Sequence, residues 1–214
     1  MIPIGDAERR PLVFPKVTVF LITLNMLVFL LELRGGSSFI DRWSLVPMDI
    51  ITGKNYLTIF TSIFLHVGAV HIAGNMLFLW VFGPEIEDLM GQARYLFFYL
   101  IGGLTASLAQ VAVDPLSDIP ILGASGAIAA VMGVFIVTFP RDRIKTILLI
   151  GWFVTVKMVP AVILVGIWFI TQVFSEISSL TQLGGVAYMA HIGGFLFGAF
   201  FGRSFEKHNR RTMY

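Results

Sequence analysis

The hydrophobic pattern of this chain consists of long apolar runs separated by short polar connections. A membrane-spanning helix needs about 20 mainly apolar residues. Five runs approach that length, and they extend over about Val17–Leu33, Val67–Phe82, Tyr95–Val113, Ile121–Phe139 and Tyr188–Gly202. The pattern therefore predicts a membrane protein with several spans.

The apolar stretch between Ile144 and Phe174 is ambiguous, because Lys157 and Pro160 interrupt it. A lysine near the end of a span can extend its ammonium group to the interface. We therefore interpret Met158–Phe174 as a span and 144–156 as a short apolar piece lying at the interface. This interpretation gives six spans. A seventh is possible and would move the C-terminus to the other side of the membrane.

Composition supports this class of protein. Apolar types make up 57% of the 214 residues, charged types make up 13%, and mean hydropathy is +0.85. A typical soluble domain carries roughly 25% charged residues, so a soluble enzyme and a disordered chain are both excluded. The net charge of +2 is too small to indicate a nucleic-acid partner. The lack of cysteine excludes a disulfide framework and a thiolate metal site. We expect no cofactor and no metal, and we expect membrane lipid as a partner.

The distribution of cations orients the predicted bundle. With six spans and the N-terminus inside, 12 of the 15 cations lie on the inside, as the positive-inside rule requires. A seventh span would place Arg203–Arg211 outside. We therefore predict an all-α membrane protein with a six-transmembrane-helix bundle, forming one domain over 1–214. Short cytoplasmic tails are expected over about 1–15 and 204–214, with both termini in the cytoplasm.

Four polar residues within or beside the spans are candidates for chemistry. His71 and Asn75 lie one helical turn apart on one face of span 2, Ser125 lies in span 4, and His191 lies in span 6. In the predicted orientation, His71, Ser125 and His191 all lie about 5–6 Å below the outer boundary. Three polar side chains at one depth predict one site, open toward the outer face.

Each of these residues also has a structural interpretation. Serine in a membrane helix commonly packs as a small residue or bonds its own backbone, while histidine and asparagine commonly bond between helices. Small residues at spacings of four predict that spans 4 and 6 pack closely, which would bring His191 within reach of Ser125. These residues are Ser125, Ala129 and Gly133 in span 4, and Ala190, Gly194, Gly198 and Gly202 in span 6.

The chemistry that fits these residues is acyl transfer. Serine becomes a useful nucleophile when a base takes its proton, and His191 is the candidate base for Ser125. The carboxylates all lie outside the middles of the predicted spans, so we expect a Ser–His dyad rather than a triad. The Ser125 amide and the side chains of His71 and Asn75 are candidate donors to the developing oxyanion.

Three motifs, in order along the chain, resemble those of the rhomboid intramembrane serine proteases. They are H-x-x-x-N at His71–Asn75, G-x-S-G at Gly123–Gly126, and A-H-x-x-G-x-x-x-G from Ala190 to Gly198. The resemblance implies a rhomboid-like fold and a serine endopeptidase that cleaves transmembrane segments of other proteins. It implies Ser125 as nucleophile and His191 as base, with His71, Asn75 and the Ser125 amide as the oxyanion hole.

The resemblance carries further expectations. It implies lateral entry of substrate near spans 2 and 5, beneath a mobile cap over Ser178–Gly185, and a structural role for His66. Some members of the family stack an aromatic side chain on the histidine, from the position four residues after the serine. That position is Ala129 here, so the orientation of the imidazole must come from elsewhere. We expect the bacterial inner membrane as the location.

Two other functions remain as alternatives. The first is an inactive relative that binds membrane segments as a chaperone or adaptor, although such relatives typically lack the serine or the histidine. The second is a small transporter or channel, which would require ionisable groups along a path at mid-membrane.

Overall fold

A computed structural model of the chain describes residues 1–9, 11–150, 153–179 and 187–206. Within this part the chain forms eight α-helices, two short 3₁₀ turns (62–64 and 202–205) and three strands. The helices are α1 (Lys16–Trp43), α2 (Pro47–Ile51), α3 (Thr58–Thr61), α4 (Ala69–Met90), α5 (Gln92–Val113), α6 (Ser125–Thr138), α7 (Ala161–Ser179) and α8 (Tyr188–Phe201). The strands are β1 (Ile2–Asp6), β2 (Arg143–Ile150) and β3 (Phe153–Pro160).

The mostly helical membrane fold is confirmed. Among the described helices, α1, α4 and α5 are long and apolar enough to cross a bilayer. The helices α6, α7 and α8 lie where spans 4, 5 and 6 are predicted, but they are shorter. With its 14 residues, α6 is about 21 Å long, against a hydrocarbon thickness of about 30 Å. The count of six spans therefore stays a prediction.

Helix α6 forms the centre of the bundle. Every residue from 126 to 135 is buried, and α4, α5 and α8 pack around it. The helix is rich in alanine and glycine on these faces, which lets its neighbours approach closely. A Cβ atom added at Gly102 of α5, for example, would lie 2.6 Å from the Cβ of Ala130. Ser125, the first residue of α6, is thereby held at one end of a tightly packed core.

The predicted close contact between α6 and α8 is confirmed, with one change of face. On α8, Cβ atoms added at Gly194 and Gly198 would overlap the backbone carbonyl oxygens of Gly126 and Ala130. The face of α6 that meets α8 therefore includes Gly133 of the predicted stripe, whose added Cβ atom would overlap the Phe195 carbonyl oxygen. At the start of α6, however, this face follows Gly126 and Ala130, one residue beyond Ser125 and Ala129. This offset leaves Ser125 at the edge of the contact, where its side chain is partly exposed.

A three-stranded antiparallel sheet, in the order β1-β2-β3, corrects the all-α prediction. Of the piece over 144–156, expected as an apolar interfacial segment, residues 144–150 lie in β2 and 153–156 in β3, and α7 starts at Ala161 rather than at Met158. Exposed Arg143 and Lys145 alternate with buried Ile144 and Thr146, which is the period of a strand with one buried face. The sheet follows the end of α6 opposite Ser125.

The N-terminal segment is also corrected, because 1–15 is more than a tail. Residues Ile2–Asp6 form β1 and pair with β2, and Arg9 forms an ion pair with Asp142. These contacts attach the N-terminal segment to β2 and to the loop between α6 and β2. At the other end, 202–205 forms a 3₁₀ turn, and the rest of the tail predicted over 204–214 lies beyond residue 206, outside the described residues.

Two helices are longer than the hydrophobic pattern predicts. Helix α1 runs to Trp43, with a break at Gly36, where φ is +63°. Helix α4 runs to Met90 and buries Glu85, Glu87 and Asp88 in its last turns. A buried, ionised carboxylate needs partners, and Glu87 accepts hydrogen bonds from the first turn of α1. Its two oxygens bind the Val17 amide, the Thr18 amide and the Thr18 hydroxyl at 2.8–2.9 Å.

Candidate active site

The site forms where the loop before α6 enters the bundle. At Gly123 the backbone has a φ of +133°, a value that side-chain-bearing residues rarely adopt. Its amide donates to the Ser62 carbonyl at 2.9 Å, which anchors the loop. A Cβ atom at Gly123 would also lie 3.0 Å from His71 Cε1 and 3.5 Å from Ser125 Oγ. Glycine is therefore required both for the turn and for bringing the His71 ring close to Ser125.

Ser125 and His191 are in direct hydrogen-bonding contact. The Oγ atom of Ser125 lies 2.7 Å from His191 Nε2. The two residues are the first of α6 and the fourth of α8, and the glycine contact between these helices places them side by side. The structure thus brings together the two residues that the sequence predicts as a pair.

The other nitrogen of the His191 ring contacts a residue that the sequence analysis does not single out. Nδ1 lies 2.8 Å from Oε1 of Gln172, on α7. The imidazole is therefore held from both sides, by Ser125 on α6 and by Gln172 on α7. The described carboxylates form no hydrogen bond with it, so the third position that a carboxylate occupies in a triad is filled by a neutral amide.

Aromatic support for the imidazole also comes from helices other than α6. Ala129 is fully buried, and its methyl group cannot stack on the imidazole as the aromatic residue at this position does in some relatives. Instead, the ring of Trp168 on α7 lies 5.8 Å from the His191 ring, and that of Tyr188 on α8 lies 6.4 Å away, edge to face. The expectation that His191 is oriented from elsewhere is met by α7 and α8.

Asn75 is buried on α4, yet its side-chain nitrogen has no hydrogen-bond acceptor among the described residues. Buried polar groups are nearly always paired, and an unpaired one calls for an explanation. Asn75 lines a cavity of about 990 Å³ together with His71, Ser125 and His191. The four predicted site residues thus face one space, with an unused amide donor at its wall.

His66 lies just before α4 and does not line this cavity. Its backbone amide donates to Glu32 at 2.9 Å, and its ring packs edge to face on His71, with centroids 5.1 Å apart. Burial, with the nearby His71 ring adding to the effect, lowers the pKa of His66 to about 4. The imidazole is therefore neutral at pH 7, and the structural role expected for it stays a prediction.

The family is clear from comparisons with known proteins. Residues 53–207 match the family model described as "Rhomboid domain". The chain belongs to the rhomboid family.

Several curated relatives support this membership. Rhomboid protease GluP of Bacillus subtilis is 32% identical over 88% of this chain, which spans 35% of that protein. Rhomboid protein 1, mitochondrial, of Saccharomyces cerevisiae is 29% identical over 93% of the chain and 57% of its own length. RHOMBOID-like protein 12, mitochondrial, of Arabidopsis thaliana is 31% identical over 81% of the chain and 56% of its own length. The chain thus spans about a third to little more than half of these relatives.

The parts of the site that the sequence analysis misses lie mainly on α7. Gln172 and Trp168 lie four residues apart, so a helical reading of span 5 places them on one face. The glutamine, as an uncharged polar residue in an apolar helix, is the signal that could have directed attention to it. Of the predicted cap over 178–185, the first two residues end α7, and the remainder lies outside the described residues.

Proposed function

We propose that this chain is an intramembrane serine endopeptidase that hydrolyses peptide bonds in or near transmembrane segments of membrane-protein substrates. The observation that carries the proposal is the 2.7 Å contact between Ser125 Oγ and His191 Nε2. A serine hydroxyl becomes a good nucleophile when an adjacent base takes its proton. No other imidazole in the described part of the chain bonds to a serine hydroxyl.

The reaction follows from this contact. Ser125 Oγ attacks the carbonyl carbon of the scissile bond while its proton passes to His191 Nε2. The tetrahedral intermediate collapses as the carbon–nitrogen bond breaks, and His191 gives the proton to the leaving amine, which leaves an ester on Ser125. Water then attacks the ester with His191 again taking a proton, and the carboxylic acid leaves as Ser125 regains its hydrogen.

The developing oxyanion is stabilised by donors at the cavity wall. The candidates are the Ser125 amide, the His71 side chain and the Asn75 side chain. Ser125 is the first residue of α6, where amides lack partners within the helix. Asn75 offers a buried donor with no acceptor among the described residues. Such donors act most strongly in a site that excludes bulk water.

The proposed enzyme lies in the bacterial inner membrane with six spans, both termini in the cytoplasm and the site toward the outer face. The distribution of cations supports this orientation. Arg143, Lys145 and Lys157 lie in the sheet at the end of α6 opposite Ser125. Substrate segments would therefore be cut near the outer surface of the bilayer.

Labelling with a fluorophosphonate in detergent tests the nucleophile. The unmodified protein should form a covalent adduct, and Ser125→Ala should form none while keeping its thermal unfolding temperature. Ser204→Ala is a control, because this serine is exposed at the opposite end of the bundle and its loss should leave labelling unchanged.

Cleavage of a transmembrane substrate in proteoliposomes tests the base. His191→Ala should lower the rate at least about 10³-fold, since removing any member of a coupled serine–histidine unit removes most of its rate enhancement. Full cleavage activity of Ser125→Ala or of His191→Ala would overturn the proposed dyad. An unmodified protein that neither labels nor cleaves, yet binds membrane segments, would establish the adaptor function instead.

A further inference from the structure

We propose that Gln172 is the positioning residue for the catalytic histidine, fixing the imidazole of His191 in the tautomer that can act as a base. This inference rests on the proposed function, because it assigns a role within that same site. Its basis is the 2.8 Å contact between Gln172 Oε1 and His191 Nδ1, on the side of the ring away from Ser125.

The hydrogen bonds of the Gln172 side chain determine which way its amide faces. Its Nε2 lies 3.3 Å from the backbone carbonyl oxygen of Trp168, one turn earlier on α7. A carbonyl oxygen can only accept, so the nitrogen of the amide must face Trp168 and the oxygen must face His191. The same nitrogen lies 3.3 Å from the hydroxyl of Thr171, which can also accept from it.

The facing oxygen of Gln172 selects the tautomer of His191. Because an amide oxygen can only accept, Nδ1 must carry the hydrogen, and the neutral ring then has its lone pair on Nε2. That lone pair faces Ser125 Oγ at 2.7 Å. The donors therefore run in one direction, from Ser125 to His191 to Gln172 to the Trp168 carbonyl. In triads a carboxylate does this work by holding the same tautomer.

A neutral amide suits this position in the bilayer. Helix α7 is exposed along one side, with Ile163, Ile167 and Ile170 all more than two-fifths exposed. A carboxylate on such a helix would carry the high cost of a charge in the membrane. Gln172 does not line the cavity, so it acts through His191 and has no direct contact with the substrate space.

A simpler role for Gln172 is to attach α7 to α8, as polar residues often do between membrane helices. The two roles differ in what the loss of the side chain changes. An attachment role predicts a lower unfolding temperature with an unchanged tautomer. A positioning role predicts a change in the tautomer and in kcat, with KM nearly constant.

The kinetic test compares Gln172→Leu with Gln172→Glu. Leucine removes the acceptor and should lower kcat about 10- to 100-fold, the range lost when the outer partner of a ligating histidine is removed, while KM changes less than about twofold. Glutamate keeps an acceptor oxygen on the same stem, but it loses the donor to the Trp168 carbonyl and carries the cost of a charge in the membrane, so it should restore kcat only in part, to a value clearly above that of the leucine variant. Gln92→Leu makes the same chemical change at an exposed residue outside the site and should have no effect.

Nitrogen-15 NMR of histidine-labelled protein reads the tautomer directly and needs no activity. The unmodified protein should show a protonated Nδ1 and a bare Nε2 for His191, assigned by comparison with His191→Ala. Gln172→Leu should show a mixture of the two tautomers, and Gln172→Glu should show the original one.

These measurements separate the failure of the inference from the failure of the proposed function. An active enzyme whose kcat and tautomer are both unchanged by Gln172→Leu would overturn the positioning role and leave the protease intact. A Gln172→Leu variant that loses activity with an unchanged tautomer would overturn it as well, in favour of simple attachment. Absence of labelling at Ser125 in the unmodified protein would overturn the proposed function itself, whatever the NMR spectra show.

Discussion

The two contacts that α8 makes within the site differ in how they are built. Against α6, backbone meets backbone, because a glycine such as Gly198 leaves no side chain between the helices and faces the carbonyl of Ala130. Against α7, the contact is made by side chains. Phe169 stacks on Phe195 with ring centroids 4.3 Å apart, and Gln172 Oε1 contacts His191 Nδ1 at 2.8 Å.

This difference separates two properties of the site. The distance between Ser125 and His191 depends on the contact of α6 with α8, where backbone meets backbone and no side chain lies between the helices. The orientation of the base depends on α7, whose side chains can be exchanged one at a time. Substitutions at the first contact should therefore change fold and activity together, whereas substitutions at the second should change activity in steps.

The largest effect is expected for Gly198→Ala. The added methyl group would overlap the Ala130 carbonyl oxygen, so α8 must shift, and we expect a loss of stability of about 1–3 kcal/mol or more with near-complete loss of cleavage. Thermal unfolding in detergent and the rate of substrate cleavage measure the two effects.

Gly166→Ala is the matched control for that substitution. Gly166 lies on α7, and a Cβ atom added there has no neighbour within 4 Å. Alanine is intrinsically favoured over glycine in a helix by about 1 kcal/mol, so this variant should be at least as stable as the original. Equal unfolding temperatures for the two alanine variants would show that the backbone contact does not determine stability.

An intermediate effect is expected for Phe169→Ala. The aromatic pair with Phe195 contributes about 0.5–1.5 kcal/mol beyond its buried area, and its loss should loosen α7 and lower kcat while Ser125 still labels. Ile170→Ala, at a neighbouring side chain that is 53% exposed, should stay within about 0.5 kcal/mol of the original. A Phe169→Ala enzyme with unchanged unfolding temperature and kcat would show that the stacking is dispensable.

The smallest effect is expected for Thr171→Val. The substitution keeps the shape of the side chain and removes the hydroxyl near Gln172 Nε2, while the Trp168 carbonyl still accepts from that nitrogen. A hydrogen bond of this kind is worth about 1 kcal/mol net at most here, so kcat should fall less than about fivefold. A loss as large as that of Gln172→Leu would mean that Thr171, rather than Trp168, orients the amide.

The main helices and the pair of Ser125 and His191 can be predicted from the sequence, because both depend on patterns that are visible along the chain. Long apolar runs mark the helices, and polar residues within them are rare enough to be noticed. For this reason the sequence singles out His71, Asn75, Ser125 and His191. In the structure all four line the same cavity. Their roles stay proposals.

Other features depend on contacts between distant parts of the chain. The pairing of β2 with β3 does not follow from the sequence, because an apolar stretch with a lysine and a proline fits an interfacial piece as well as two strands. The length of α4 was missed because Glu87 is buried only when the first turn of α1 supplies its hydrogen bonds. Gln172 was missed because its partner, His191, comes 19 residues later and on another helix.

Buried Glu87 lies near the C-terminal end of α4, on the opposite side of the bundle from the candidate site at its N-terminal end. One end is fastened to α1 at Val17 and Thr18, and the other carries His71 and Asn75. About 18 Å of helix separates Asn75 from Glu87, so a tilt of about 3° at the fastened end moves the amide of Asn75 by about 1 Å. Displacements of that size can change a catalysed rate about 100-fold. The position of Asn75 in the proposed oxyanion hole therefore depends in part on the hydrogen bonds between Glu87 and α1, at the opposite side of the bundle.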